Sequence, residues 1–253
     1  MIKPNSLETS VQVKILKTPT DLGQQAAQLA VKHINHAIAD KGFANIILAT
    51  GTSQFETLKH LTKATIDWSK VNLFHLDEYL GISPDHPASF CAYLQKRFID
   101  QVTPLKAVHL ISGEEKSADQ TCQQLSAHIL KHPIDLALIG IGENGHLAFN
   151  DPPANFETTI PFIIVELDEA CRKQQLGEGW FQSLEEVPKR AISMSIQQIL
   201  KSKCLIVSVP DLRKARAVKA ALQGSVDPQQ PASILQKHPQ CHLFLDEQSA
   251  SLL

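Results

Sequence analysis

Residues 135–151 read DLALIGIGENGHLAFND, an apolar run that stops at a glycine-rich turn carrying a single histidine. The part from 135 to 140 is short and apolar enough to form a buried strand of a parallel sheet. Ligands of open α/β sheets bind just beyond the carboxyl ends of such strands, which is where His146 would lie. Three nearby side chains offer polar partners for its imidazole: Asn144, Asn150 and Asp151. The stretch predicts an active site, and the alternative is a tight loop whose histidine caps a helix.

The composition is that of an ordinary globular protein. The chain has 253 residues, of which 43% are hydrophobic and 20% are charged, enough for one large domain or two small ones. A formal net charge of -2 gives no basic field, so we expect neither a nucleic-acid nor a membrane partner. No segment approaches the roughly 20 apolar residues of a membrane span, and Met1 to Ser10 lacks the pattern of a signal peptide. Five cysteines without a C-x-x-C pair are typical of reduced thiols in the cytoplasm, where we expect the protein.

Strands and helices are predicted to alternate along the chain. Apolar runs predict strands near 11–16, 45–49, 71–76, 108–111, 135–140, 162–165, 191–193, 204–209 and 242–245. Helical periodicity covers 21–41, 55–64, 89–99, 117–131, 197–201 and 213–223, whereas 166–186 has no clear pattern. The alternation favours a Rossmann-like, doubly wound α/β fold, with a mostly parallel sheet between helices, over a barrel of eight units. Because no linker or repeat interrupts the chain, we expect one domain over residues 1–253.

A second loop, Thr50-Gly51-Thr52-Ser53, joins a strand to a helix and combines backbone N–H groups, hydroxyls and a helix N-terminus. Such a combination binds phosphate. The loop matches neither the P-loop nor the dinucleotide-binding motif, and an ordinary helix cap is the alternative. Lys214 follows the strand at 204–209, where its ammonium would reach the same anion. Arg172 lies in the segment without a clear pattern, as part of a lid or of a surface patch.

Two carboxylates, Asp77 and Glu78, follow the strand at 71–76. In a partly dehydrated pocket a carboxylate becomes basic enough to remove a proton next to a carbonyl, and one of the two is well placed for that role. A solvated turn is the alternative. The alternation of side chains along the strand favours a packed position for His75. Four residues offer the ligand chemistry of a metal site, but without tight spacing, so we expect no metal: His75, Asp77, His146 and Asp151.

In this order, the loops resemble those of the glucosamine-6-phosphate deaminase/isomerase family, which is related to 6-phosphogluconolactonase. The resemblance spans nearly the whole chain and is carried by four segments: Leu76 to Gly81, His86 to Ser89, Gly142 to Pro152 and Val187 to Lys189. It implies a Rossmann-like α/β sandwich that converts an amino sugar phosphate to a ketose phosphate with release of ammonia, without a cofactor. The implied partner is a small-molecule sugar phosphate, and a monomer and a homo-oligomer are both compatible with the sequence.

The resemblance also implies roles for individual residues. His146 would open the pyranose ring, and Asp77 would move the C2 proton to C1, giving a ketimine that water hydrolyses. Asn144 and Asp151 would hold His146, although many deaminases have aspartate and glutamate at these two positions. Five residues would bind the phosphate, the last of them as a substitute for the family's arginine: Gly51, Thr52, Ser53, Lys214 and Arg172.

Other interpretations stay open. Where related lactonases have Asp-Glu-Arg and Gly-His-Thr-Ala-Ser, this chain has Asp-Glu-Tyr at 77–79 and Gly-His-Leu-Ala-Phe at 145–149, which favours deamination over lactone hydrolysis. A non-catalytic sugar phosphate sensor would need neither Asp77 nor His146. No motif addresses the hydroxyl that distinguishes glucosamine from galactosamine phosphate.

Overall fold

The computed structural model describes residues 11–102 and 104–253. The segment 1–10, for which we expect no signal peptide, lies outside the described residues. The strands are β1 (Val11–Leu16), β2 (Ala44–Leu48), β3 (Val71–His75), β4 (Asp77–Tyr79), β5 (Ala107–His109), β6 (Leu136–Ile139), β7 (Phe162–Glu166), β8 (Arg190–Met194), β9 (Leu205–Val209) and β10 (Cys241–Asp246). The α-helices are α1 (Pro19–Lys41), α2 (Phe55–Leu61), α3 (Phe90–Arg97), α4 (Ala118–Ile129), α5 (Glu169–Gly177), α6 (Ile196–Leu200) and α7 (Ala215–Gln223).

Seven strands form one sheet in the order β1-β10-β9-β6-β2-β3-β5, and all of its neighbouring pairs are parallel. The predicted α/β class is confirmed. From β2 the chain continues to β3 on one side, and from β6 it continues to β9 on the other side. The winding direction therefore reverses between β2 and β6. In doubly wound sheets this reversal opens a crevice at the carboxyl ends of the strands.

The core lies on both faces of this sheet. Side chains alternate along β2, so that Ile47 packs in one cluster while Ile46 and Leu48 pack in the other. The first cluster includes apolar residues of α4, α6 and α7, and the second includes those of α1, α2 and α3. Burying each large aliphatic side chain contributes roughly 1.5–3 kcal/mol. The sheet is thus a rigid platform from which the loops at its carboxyl edge project.

Helix α1 shows how the sequence sets the boundaries of these elements. The Thr18 hydroxyl accepts a hydrogen bond from the Asp21 N–H at 3.1 Å, which satisfies a free donor of the first turn. Pro19 lies in that turn, where its missing N–H has no partner to lose. Gly42 ends the helix with a φ of +83°, a conformation that favours glycine. Buried residues recur every three or four positions and face the sheet: Leu22, Ala26, Ala30, Ile34 and Ala37.

Two parts of the fold differ from the sequence-based prediction, and both bear on the site. Asp77–Tyr79 forms β4 in a small antiparallel sheet of order β4-β8-β7, with Asp77 opposite Ser193. Helix α5 fills the segment that has no clear pattern. Its N-cap is Asp168, whose carboxylate accepts from the Cys171 N–H. Only Cys171 and Gln175 are buried on this helix, so its apolar stripe is too narrow to be recognised.

None of the helices in residues 11–102 and 104–253 combines the length and the apolar character needed to cross a bilayer.

Candidate active site

A cleft lies at the reversal point between β2 and β6. It encloses about 560 Å³, including solvent at its mouth. The segments that follow four adjacent strands (β9, β6, β2 and β3) contribute to its wall. Six of the residues predicted from sequence line it: Gly51, Thr52, Ser53, Asp77, His146 and Lys214. Parallel strands place their carboxyl ends at one edge, so residues far apart in sequence meet in one cleft.

The turn after β6 holds the imidazole of His146 against the backbone. The Gly142 N–H donates to the His146 carbonyl at 2.9 Å, which closes the turn. A Cβ atom built on Gly142 would lie 2.3 Å from Nε2 of His146. Only glycine leaves room for the ring there. Gly145, with a φ of +87°, takes a backbone conformation that side chains strongly disfavour.

Asp151 and Asn144 form the network around His146. Nδ1 of His146 lies 3.1 Å from Oδ1 of Asp151, outside the linear geometry of a strong N–H···O hydrogen bond. Asn144 Nδ2 donates to the same oxygen at 3.0 Å, while Asn144 Oδ1 accepts from the His146 N–H at 3.0 Å. The Asp168 N–H donates to the other Asp151 oxygen at 3.3 Å. This carboxylate is therefore held on both oxygens and faces the imidazole.

The network keeps Asp151 ionised. Burial by itself raises the pKa of Asp151, but the contacts with His146 and Asn144 outweigh it, and the pKa falls below its usual value. Asp151 thus places a negative charge 3.1 Å from Nδ1 of His146.

The buried thiol of Cys171 completes the surroundings of this pair. Burial raises the pKa of Cys171, and the charge of Asp151 raises it further. One ligand atom from each of His146, Asp151 and Cys171 lies within 4.8 Å of the others, as is also true of His33, Cys204 and His242 elsewhere in the fold. These are the two groups in the described residues whose spacing would suit a metal ion.

Asp77 is the buried acid of the cleft. Its side chain is 6% exposed. Burial, and then the nearby charge of Glu78, raise the pKa of Asp77 to about 8. A carboxylate with so high a pKa is a far stronger base than an ordinary aspartate, which is what abstraction of a proton from carbon requires.

Glu78 lies outside the cleft that Asp77 lines, although from the sequence either carboxylate could be the base. Its carboxylate accepts hydrogen bonds from four donors, namely the N–H groups of Tyr79 (2.8 Å), Phe90 (3.2 Å) and Cys91 (2.8 Å) and the hydroxyl of Ser89 (2.8 Å). The donors from 89 to 91 belong to the start of α3. Glu78 therefore caps a helix, and it is absent from the residues that line the cleft.

His75 also lies away from the cleft. It is fully buried, its Nδ1 accepts from the Ile111 N–H at 3.5 Å, and burial lowers the pKa of His75 to about 3. The prediction of a packed histidine is confirmed. The four-residue metal site of His75, Asp77, His146 and Asp151 does not assemble, because His75 does not line the cleft that holds Asp77 and His146.

The loop 50–53 and Lys214 form the other end of the cleft. Gly51 has a φ of +90°, which turns the chain from β2 into the short 3-10 turn Thr52–Gln54. The hydroxyl of Tyr93 donates to the Gly51 carbonyl at 2.9 Å and fixes that turn. A Cβ on Gly140 would lie 2.8 Å from the Ser53 hydroxyl, so the loops after β2 and β6 pack directly together.

Lys214 projects from the end of the 3-10 turn Leu212–Lys214, which follows β9. The Lys214 N–H donates to the Asp211 carbonyl at 3.0 Å, and Asp211 has a φ of +88° that directs the chain into the turn. The side chain is 6% exposed, and burial lowers the pKa of Lys214. Lys214 is a dehydrated cation that would gain from an anionic ligand.

Arg172 lies elsewhere. Its guanidinium donates to the carbonyl of Val187 at 3.2 Å and to that of Leu184, and it does not line the cleft. These bonds use the arginine to tie α5 to the segment before β8. The structure therefore does not bring Arg172 to Lys214 and the loop 50–53, where the sequence predicted it.

Instead, α5 and its C-terminal end present Gln174, Gln175 and Glu178 to the cleft. Gln175 accepts from the Tyr79 hydroxyl at 2.8 Å, and Gln174 accepts from the Glu143 N–H at 2.8 Å. The sequence pattern does not predict that these residues line the cleft, because it does not predict helix α5. The available signal was Asp168 as an N-cap, with Cys171 and Gln175 four residues apart on one face.

The chain is similar to known proteins over nearly its whole length. A family profile described as glucosamine-6-phosphate isomerases/6-phosphogluconolactonase matches residues 17–243. A glucosamine-6-phosphate deaminase of Lactobacillus delbrueckii subsp. bulgaricus is 34% identical over 243 residues, covering 96% of this chain and 100% of the relative. One of Bacillus cereus is 32% identical over 242 residues, covering 96% and 89%.

Two solved structures are also similar to this chain over nearly its whole length. A monomeric glucosamine-6-phosphate deaminase superposes with a TM-score of 0.88 at 30% identity, covering 96% of this chain and 100% of the other. A 6-phosphogluconolactonase from Trypanosoma brucei shares the fold, with a TM-score of 0.79 at 15% identity and coverage of 96% and 98%. The chain belongs to the glucosamine-6-phosphate isomerase/6-phosphogluconolactonase family.

Proposed function

We propose that this protein is a glucosamine-6-phosphate deaminase, which converts glucosamine 6-phosphate and water to fructose 6-phosphate and ammonia. The observation that carries the proposal is the presence of Asp77, a buried carboxyl group of raised pKa, in the same cleft as His146 and the loop 50–53. Its relatives at 30% identity or more include glucosamine-6-phosphate deaminases. A pocket that only bound a sugar phosphate would have no need of a dehydrated carboxyl group.

The phosphate would be held at the end of the cleft formed by Gly51, Thr52, Ser53 and Lys214. Backbone N–H groups and hydroxyls supply hydrogen bonds, and the ammonium supplies charge. A group held far from the reacting carbons orients the sugar without taking part in the chemistry. Such anchoring converts remote binding energy into positioning of C1 and C2.

The reaction has two stages of proton transfer, one that opens the ring and one that acts on C2 and C1. His146 accepts the proton of the anomeric hydroxyl and returns a proton to the ring oxygen, which breaks the C1–O bond and opens the ring. Asp77 then takes the proton from C2 while the ammonium group of the substrate passes a proton to the C1 oxygen, which gives an enolamine. Asp77 delivers its proton to C1, which leaves a protonated ketimine at C2. Water adds to that carbon and ammonia departs. Asn144 and Asp151 orient His146 for these transfers.

The domain organisation, the cellular location and the oligomeric state are part of the same proposal. We propose one domain over residues 1–253 that works in the cytoplasm on a small sugar phosphate. One relative of known structure is monomeric. Sedimentation at several protein concentrations distinguishes a monomer from a homo-oligomer.

The test is to incubate the purified protein separately with glucosamine 6-phosphate, galactosamine 6-phosphate and 6-phosphogluconolactone. We expect ammonia and a ketose phosphate in equal amounts from the glucosamine ester. Turnover of the galactosamine ester alone would change the assigned epimer. Hydrolysis of the lactone without release of ammonia from either amino sugar would replace the proposal with a lactonase. Binding without any turnover would indicate a sensor.

A further inference from the structure

A carboxylate lies among the groups that would bind the phosphate. Glu178 lines the cleft together with Lys214 and the loop 50–53. A Cβ atom built on Gly51 would lie 3.7 Å from Oε2 of Glu178, so this carboxylate oxygen stands directly over the loop. Its other oxygen accepts from Gln174 Nε2 at 3.2 Å.

The charge of Glu178 acts on Lys214. Burial lowers the pKa of Lys214, and the carboxylate of Glu178 is the strongest of the influences that raise it again. Within the described residues, Lys214 is the one lysine or arginine that lines the cleft. Without a ligand, Glu178 thus provides counter-charge for the cation on which an incoming phosphate depends.

We infer that Glu178 competes with the phosphate of the substrate for Lys214 and the loop 50–53, and that it must turn away when the phosphate binds. The inference rests on the proposed function, which makes a sugar phosphate the ligand. A phosphate monoester carries about two negative charges at neutral pH. Such a dianion and a carboxylate cannot share one cation in a small cleft without strong repulsion. Glu178 therefore weakens the binding of the substrate's phosphate group.

The local backbone allows this movement. Glu178 directly follows α5, and its N–H donates to the Gln174 carbonyl at 3.0 Å. Gly177 and Gly179 flank it, and a Cβ on either glycine would meet no atom within 4 Å. Gly179 has a φ of +84°. Glu178 is only partly buried. A change of its side-chain rotamer, or of the backbone conformation of Gly177 and Gly179, therefore moves the carboxylate into solvent without disturbing the packed part of α5.

The size of the effect follows from the charge. In a half-exposed cleft with an effective dielectric constant of about 40, removing one charge at about 6 Å from a monoanion strengthens binding about tenfold, and more for a dianion. A protein that binds its substrate less tightly also releases a phosphorylated product faster. Glu178 would thus raise KM and favour product release at the same time.

The experiment measures binding of inorganic phosphate by titration calorimetry to the wild type and to Glu178→Gln. A matched control is Glu169→Gln, because Glu169 lies on the same helix but is exposed and pairs with Lys173. We expect Glu178→Gln to bind phosphate about tenfold more tightly, with a similar fall in KM for glucosamine 6-phosphate. Glu169→Gln should match the wild type, and Lys214→Ala should lose binding.

Equal or weaker phosphate binding by Glu178→Gln would overturn the inference, as would an equal gain in Glu169→Gln. Thermal melting shows whether each variant is folded, and Glu178→Ala gives a second readout of the lost charge. Different results would refute the proposed function and the role of Glu178. Phosphate binding that responds to Glu178, without turnover of either amino sugar phosphate, would refute the proposed function alone. Turnover with unchanged phosphate affinity in Glu178→Gln would refute only the role of Glu178.

Discussion

Replacing Asp77 with asparagine should stabilise the protein while removing its activity. Burial, and then the charge of Glu78, raise the pKa of Asp77 from 3.8 to about 8. In the unfolded chain the carboxyl group returns to its ordinary pKa, so between these two values the folded state holds a proton that the unfolded state has released. The contribution of Asp77 to stability is therefore fully present below about pH 4 and is lost as the pH rises towards 8.

The magnitude follows from the same two values. Each pKa unit corresponds to about 1.36 kcal/mol, so the folded state loses at most about 4 kcal/mol at pH 7 and about 2 kcal/mol at pH 5. Asparagine does not ionise and recovers this free energy. For a chain of this size, in which 1 kcal/mol shifts the melting temperature by about 2–4 °C, we expect a rise of up to roughly 8–16 °C at pH 7 and about half as much at pH 5. Deamination should fall by about a hundredfold or more, because the base for C2 is gone.

The assay is thermal melting of Asp77→Asn and wild type at both pH values, together with turnover at pH 8. Asp40→Asn, which changes an exposed carboxylate on α1, serves as the control and should leave the melting temperature unchanged. A destabilised Asp77→Asn, or a stabilisation equal at both pH values, would refute the claim that Asp77 is dehydrated. Retained turnover would refute its role as the base.

Three further substitutions test the surroundings. Gly142→Ala places a methyl group 2.3 Å from the imidazole of His146, and kcat/KM should fall about a hundredfold; an unchanged kcat/KM would contradict the tight fit of the ring there. Asp151→Asn removes the charge beside His146 and should lower kcat by roughly a hundredfold or more, while calorimetry still detects phosphate binding; an unchanged kcat would contradict the positioning role. Glu78→Gln takes an acceptor oxygen away from the donors at the start of α3, but it also removes a charge that burial disfavours, since burial raises the pKa of Glu78; it should cost about 1 kcal/mol in urea unfolding, and stabilisation by this substitution would show that the cap is not needed.

The fold could be predicted because its main signals are local. Buried strands such as β6 are continuous apolar runs, and the alternation with helices fixes a doubly wound sheet. The place of the cleft followed as well, since the carboxyl ends of parallel strands share one edge. The sequence therefore predicts that His146, Asp77 and the loop 50–53 lie at one edge of the sheet, and they line one cleft there.

Other features depend on contacts that the sequence does not display. The separate positions of Asp77 and Glu78 arise because the start of α3 folds back onto Glu78 and supplies its donors. Helix α5 is held by polar contacts, such as that between Gln175 and Tyr79, which no hydrophobic pattern reveals. The position of Arg172 depends in turn on that helix. Glu178, the acidic residue that lines the cleft together with Lys214 and the loop 50–53, was hidden for the same reason.

The central claim is that Asp77 moves the proton of C2 in an amino sugar phosphate. The most direct test follows glucosamine 6-phosphate deuterated at C2 by NMR, with wild type and Asp77→Asn. We predict that the wild type forms fructose 6-phosphate with loss of deuterium from C2 and a slowed rate relative to unlabelled substrate. Asp77→Asn should bind the substrate but keep the C2 label. Loss of the label by Asp77→Asn at a rate within tenfold of the wild type would contradict the account.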